Sequence, residues 1–208
     1  MRPAEGAELP LWAAALLCFA AAAVLGAYVS SRAPVRIDVE TAAVRGEATS
    51  LAVFFTLLGR WYAVGAVAAV AALVAAGIRS TPSGVLLLLG WQTLAQGVTS
   101  LAKLGFHRAR PAGRLVFHEP DLSYPSGHAV TAATFYGALL LFALRAPGLP
   151  RSAALLLGGV LAICVAGIPW SRLALGAHYF TDVAGGLLFG CGWLCAGLAL
   201  LQRFGPAA

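Results

Sequence analysis

Charge is scarce in this chain. Of its 208 residues only 8 are acidic and 14 basic, 11% in all, where a soluble domain carries about a quarter. With 60% hydrophobic residues and a mean hydropathy of +0.84, that deficit excludes an ordinary water-soluble globule. Polar stretches long enough to fold separately are missing as well, so one integral membrane domain is expected over 1–208. A basic tail or extended polar surface is also lacking, which excludes a nucleic-acid partner despite the net charge of +6. Cysteine is sparse, and Cys18, Cys164, Cys191 and Cys195 all lie in apolar runs, where a thiol behaves as a small hydrophobe. Neither a disulfide framework nor a redox compartment follows from them. Cys191 and Cys195 stand four apart, but without nearby histidine or carboxylate no metal site is expected there.

Long apolar runs, by contrast, recur along the whole sequence. Leu11–Ser30 has the length of a bilayer-spanning helix; a cleaved signal peptide is the alternative, disfavoured by the length of the run and by Glu5 and Glu8 offsetting Arg2. Ser31–Thr49 alternates Arg32, Arg36 and Arg45 with Asp38, Glu40 and Glu47, as an extramembrane loop would. Ser50–Ile78 is a second span, interrupted by Arg60-Trp61-Tyr62, an interfacial anchor from which the crossing would start. Arg60 is either a snorkelling arginine or a ligand for a lipid phosphate. Further spans are expected at Ser83–Leu104, Gly127–Leu144, Ser152–Pro169 and Val183–Leu201, the last with Gly186 and Gly190 at a spacing that suits close helix packing. The fold expected is therefore all-α, a six-span transmembrane bundle. Two crossings separate the loop after the third span from the loop after the fifth, so both share one membrane face. Arg2, Arg79, Arg145, Arg151 and Arg203 fall on the other, which the positive-inside rule makes cytoplasmic.

The polar break Lys103–His128 holds four of the fourteen basic residues and three of the four histidines, a density that marks function beside a bilayer. Lys103 and Arg110 are seven apart, two helical turns, and share a face if the third span continues through them. Such a pair clamps phosphate oxygens or, alternatively, snorkels to headgroups. Pro125-Ser126-Gly127-His128 opens the next span. Ser126 suits the N-cap, Gly127 lets an anion approach the backbone, and His128 would face the same anion. In the loop after the fifth span, Arg172 precedes His178 and Asp182, whose spacing of four lets the carboxylate orient the imidazole for attack, or simply cap a helix start.

Together, KxxxxxxRP at 103–111, PSGH at 125–128 and SRxxxxxHxxxD at 171–182 resemble the motif set of the type 2 phosphatidic acid phosphatase superfamily, the membrane lipid phosphatases. The resemblance implies catalysis without metal or other cofactor. His178 would form a phosphohistidine, Asp182 would orient it, and His128 would protonate the leaving oxygen. Lys103, Arg110, Ser126, Gly127 and Arg172 would hold the phosphate oxygens. His107, Arg108, Arg114 and His118 lie outside the motifs and are expected to be ordinary loop residues near anionic headgroups.

The partner implied is a lipid phosphate in the bilayer: undecaprenyl pyrophosphate, phosphatidylglycerol phosphate, phosphatidic acid or a lipid A phosphate, with a slight lean to a diphosphate. The location implied is the plasma (inner) membrane, with the site on the extracytoplasmic side. Oligomeric state has no signature in the sequence. Two rivals are a catalytically silent lipid binder, transporter or scaffold on the same fold, and a vanadate-dependent peroxidase, whose known forms are soluble.

Overall fold

The computed structural model describes residues 6–78, 82–115 and 121–204, and among them every regular element is helical. In chain order these are α1 (Leu9–Ser30), α2 (Arg36–Glu40), α3 (Thr49–Leu58), α4 (Trp61–Gly77), α5 (Ser83–Phe106), α6 (Gly127–Arg145), α7 (Arg151–Ala174) and α8 (Phe180–Phe204). In hydrocarbon, uncharged runs of Leu, Ala and Val satisfy their backbone groups only as helices or closed barrels. Accordingly α1, α5, α6, α7 and α8 are each long and apolar enough to cross a bilayer, and α3 with α4, bent by 65°, passes the same test as a pair and counts as a sixth when the two are taken as one broken span. The protein is a multi-pass membrane protein.

The most buried of these helices is α6, and the others pack around it. Its second turn is a π-helical stretch, Ala132–Tyr136, whose five residues are all buried. On one flank α1 lies along α8, where the Phe19 ring meets Phe189 edge-on at 5.3 Å. Gly192 leaves room for that ring, since a Cβ there would come within 2.6 Å of it. On the other flank α3 packs on α7 through Phe55 and Trp170. At the end remote from the polar loops, Arg203 donates to Glu8 at 2.9 Å and ties the end of α8 to the start of α1.

One sequence-derived boundary changes, and one conditional reading is decided. α5 stops at Phe106, capped by His107 in the left-handed region (φ 51°), so Lys103 and Arg110 do not share a helical face. The chain instead leaves the helix axis ahead of Pro111, a residue type that disfavours helix in its predecessor. α7, expected to end at Pro169, runs on to Ala174. The backbone bond lost at an internal proline costs about 3 kcal/mol, and the packing of the fully buried Ile168, Arg172 and Ala174 offsets it.

Candidate active site

The break between α3 and α4 makes room for His128. At its broken end α3 leaves carbonyls that need partners inside the bundle. His128 Nε2 lies 3.2 Å from the Thr56 carbonyl, and the Tyr136 hydroxyl donates to the Leu58 carbonyl at 2.8 Å. Because a carbonyl only accepts, the Nε2 of His128 carries a proton. Gly59 is needed beside that ring, since a Cβ there would stand 3.1 Å from Cγ and 3.2 Å from Nε2. Substituting Gly59→Ala is therefore expected to push the imidazole off Thr56 and cut turnover about 10–100-fold, the scale of a misplaced general acid. Size-exclusion elution should stay unchanged; normal turnover in the Gly59→Ala enzyme would remove Gly59 from the account.

Pro125 to His128 is pressed against α8. The Ser126 N–H donates to the Asp182 carbonyl at 3.0 Å. A Cβ at Gly186 would lie 2.5 Å from the Ser126 carbonyl, and one at Gly190 2.7 Å from the Ala133 Cβ. The two glycines thus bring the start of α6 and the start of α8 together. Ser126 occupies the N-cap position in extended backbone (φ −72°, ψ 113°), but its hydroxyl makes no cap bond. Fully buried, that hydroxyl has no hydrogen-bond partner among the described residues. From the other side the Gln96 amide donates to the Gly127 carbonyl (3.0 Å) and to Thr131 Oγ1 (2.9 Å), tying the turn to α5.

Lys103 and Arg110 do converge, though on a protein group. Lys103 Nζ pairs with Asp121 Oδ2 at 2.7 Å, and Arg110 Nη2 with Asp121 Oδ1 at 2.5 Å. Burial acts to raise the half-exposed Asp121 carboxyl, but the hydrogen bonds and charges of Lys103 and Arg110 outweigh it and hold it below its ordinary value. A carboxylate therefore stands between the two cations. Arg110 Nη1 also reaches the Ala177 carbonyl and His178 Nε2, each at 2.9 Å.

His178 sits in the tight connection between α7 and α8. Gly176 adopts φ 63° there, and the N–H groups of Ala177 and His178 both donate to the Arg172 carbonyl, at 2.9 and 3.3 Å. Burial, then the charges of Arg110, Arg172 and Lys103, depress the basicity of His178 far below the usual imidazole range. It is therefore neutral at pH 7. Arg172 itself is buried, and its guanidinium donates to Thr56 Oγ1.

A cavity of about 460 Å³ is lined by Lys103, Arg110, Asp121, Gly127, His128 and His178, and continues past Arg60 and Trp61 to Val64 and Leu89 between α4 and α5. Of the residues expected from the sequence, five line it; Ser126, Arg172 and Asp182 lie buried behind. Two expectations change. Asp182 Oδ2 is 3.6 Å from His178 Nδ1, beyond direct hydrogen bonding. And Arg108, expected among headgroups, is only 4% exposed. It donates to Asp182 Oδ1 (2.6 Å), Thr181 Oγ1 (2.6 Å) and Asp38 Oδ2 (2.8 Å). Asp38, equally buried, accepts from the Thr181 N–H at 2.9 Å. Nothing in the sequence separates Asp38 from the other charges of its loop, because the partner that buries it lies 70 residues away. His107 is exposed, Arg114 is half-buried, and His118 lies outside the described residues.

Comparison with known proteins converges on one family. The sequence matches the PAP2 superfamily over residues 84–206. It is 36% identical over 115 residues to phosphatidylglycerophosphatase B of Bacillus subtilis, covering 54% of this chain and 55% of that one. It is also 36% identical over 119 residues to a 22.5 kDa protein of the cps region of Klebsiella pneumoniae, with 56% and 55% covered. The chain thus spans about half the length of the curated relatives it matches. The fold is similar to the crystal structure of a transmembrane PAP2-type phosphatidylglycerolphosphate phosphatase from Bacillus subtilis, with TM-score 0.72, 20% identity, and 96% and 98% of the two chains covered.

Proposed function

The chain belongs to the PAP2 superfamily, and from that premise we propose that it hydrolyses the phosphate ester of a membrane lipid through a phosphohistidine, without a metal. One observation carries the reading: Lys103, Arg110 and two imidazoles line a single cavity that continues past Arg60 between the apolar helices α4 and α5. A lipid phosphate enters with its tail between α4 and α5 and displaces Asp121 from Lys103 and Arg110. Arg110 then turns from His178 Nε2 to the phosphate, which frees the lone pair for in-line attack. Phosphoryl transfer asks little covalent chemistry of the protein beyond a nucleophile, a proton donor and charge stabilisation. His128, entering this step as an imidazolium, protonates the departing lipid oxygen and, left neutral, takes a proton from the water that hydrolyses the phosphohistidine. Lys103, Arg110 and the Gly127 backbone, which line the cavity, stabilise the equatorial oxygens directly, and Arg172 and the uncommitted Ser126 hydroxyl support them from behind the cavity wall.

The substrate proposed first is a glycerophospholipid monoester such as phosphatidylglycerol phosphate, in line with the two Bacillus subtilis phosphatases that the chain resembles. A lipid diphosphate is the second reading, favoured by Arg60 on the same cavity wall, where it could meet a second phosphate. The enzyme would lie in the plasma membrane with the site outside the cytoplasm, since Arg145, Arg151 and Arg203 all fall at the opposite end. Purified protein in EDTA, given phosphatidylglycerol phosphate, phosphatidic acid and the mono- and diphosphate of one prenol, tests this. Phosphate release from none of them would favour a silent lipid binder.

Two results should accompany that panel. Replacing Asp121→Asn removes the resident carboxylate, so inorganic phosphate should inhibit about 3–10-fold more tightly, as expected for losing a competitor worth roughly 1 kcal/mol. Unchanged inhibition would mean that phosphate binds elsewhere. The acid limb of kcat/KM should also lie below the ordinary histidine range. Attack needs neutral His178, its basicity is depressed, and so activity falls only as pH drops through that lowered value.

A further inference from the structure

We propose that Ser123 is a positioning residue through which Asp182 acts on His178. The inference rests on His178 being the nucleophile. A guanidinium can only donate, so the 2.9 Å contact from Arg110 Nη1 makes His178 Nε2 an acceptor and puts the ring proton on Nδ1. That proton needs an acceptor inside the protein. Ser123 Oγ is 3.3 Å from Nδ1, whereas the nearer Asp182 oxygen is 3.6 Å away. The Ser123 hydroxyl hydrogen is already directed at Asp182 Oδ2, 2.5 Å distant, which leaves an oxygen lone pair for the imidazole. The chain of donors therefore runs from His178 Nδ1–H to Ser123 Oγ–H to Asp182.

Ser123 is held for this task. It is fully buried, and its N–H donates to the Arg108 carbonyl at 2.8 Å. Next to it, the Tyr124 hydroxyl donates to the Ala22 carbonyl on α1. Asp182 is fixed at Oδ1 by Arg108 Nη1 and, at the same Oδ2 that accepts from Ser123, by the Tyr179 N–H at 2.8 Å, so it is not free to swing to the ring. When the Nε2 lone pair forms the bond to phosphorus and the ester oxygen leaves with the proton from His128, the imidazole becomes cationic. Its Nδ1–H bond to Ser123 strengthens, Ser123 in turn leans on the Asp182 carboxylate, and no proton leaves the chain. Serine thus lets a carboxylate too distant for direct contact stabilise the charge that develops on the ring.

The test is kinetic. In the purified full-length protein acting on phosphatidic acid, Ser123→Ala should lower kcat about 10–100-fold, as loss of an orienting partner does, with KM and inhibition by inorganic phosphate changed less than about twofold. Adding Ser123→Ala to Asp182→Asn should cost nothing further, because both would remove one pathway. Undiminished kcat in Ser123→Ala overturns the proposal, and so do losses that multiply in the double variant. Histidine 15N NMR of the unaltered protein gives a reading independent of whether the variants fold: His178 should be protonated on Nδ1, and an Nε2–H tautomer overturns the assignment. If His178→Ala keeps its activity, the phosphohistidine reading itself fails. If His178→Ala is inactive while Ser123→Ala is normal, only the role of Ser123 falls.

Discussion

Replacing His178→Ala is expected to abolish lipid phosphate hydrolysis, with a fall in kcat on the order of 10⁴-fold or more, the size seen when the central member of a nucleophilic set is removed. The reason lies in how little else in the cavity can attack phosphorus. Lys103 and Arg110 are held as cations against Asp121, and His128 Nε2 is committed to the Thr56 carbonyl. His178, neutral and with Nε2 unprotonated, is the group ready to attack. Brief incubation with ³²P-labelled phosphatidic acid followed by alkaline quench should trap label on the unaltered protein and none on His178→Ala. Labelled His178→Ala, or turnover within about tenfold of normal, would end the phosphohistidine mechanism. His128→Ala should differ in kind, still accumulating label from a substrate with a good leaving group while failing on the natural ester.

Arg108→Met should have the largest effect on stability, although no motif includes this residue. Arg108 is the buried cation between Asp38 and Asp182, at 2.8 and 2.6 Å, and its guanidinium also lies over the Tyr179 ring at 4.5 Å. Removing it leaves two buried carboxylates without their shared partner, a change that costs about 3–5 kcal/mol. For a chain of this length that corresponds to a loss of about 6–20 °C in Tm. Activity should fall too, because Asp182 loses one of its anchors. Asp38→Asn alone should be milder, since it leaves one cation facing one carboxylate. Combined with Arg108→Met it should recover part of the lost Tm by removing one of the two stranded charges. Melting followed by tryptophan fluorescence in detergent checks both. An Arg108→Met protein that melts within about 2 °C of the parent would show that the network contributes little.

Much of the architecture was legible in the sequence, because a bilayer demands long uncharged helices and the punctuation between them is visible. The spans starting near Leu11, Ser83, Gly127 and Ser152 appear within two residues of those positions. The pairing of the two polar loops followed from counting crossings. The errors fell where local pattern and packing disagree. Pro169 signals a helix end, yet α7 continues through it. Pro111 and the spacing of Lys103 and Arg110 fit a longer α5, which His107 closes earlier.

That this is a membrane-embedded helical protein with three separated motifs on one face follows from the chain alone, since hydrophobic length and motif spacing are properties read in order. Packing set how those motifs connect: Asp121 lying in the cationic clamp, Arg108 and Asp38 buried behind Asp182, and Ser123 standing between Asp182 and His178. These residues look like any other polar residues in a loop. What distinguishes them is burial against partners up to 143 residues distant, and a charge is costly or useful only according to what the fold places beside it.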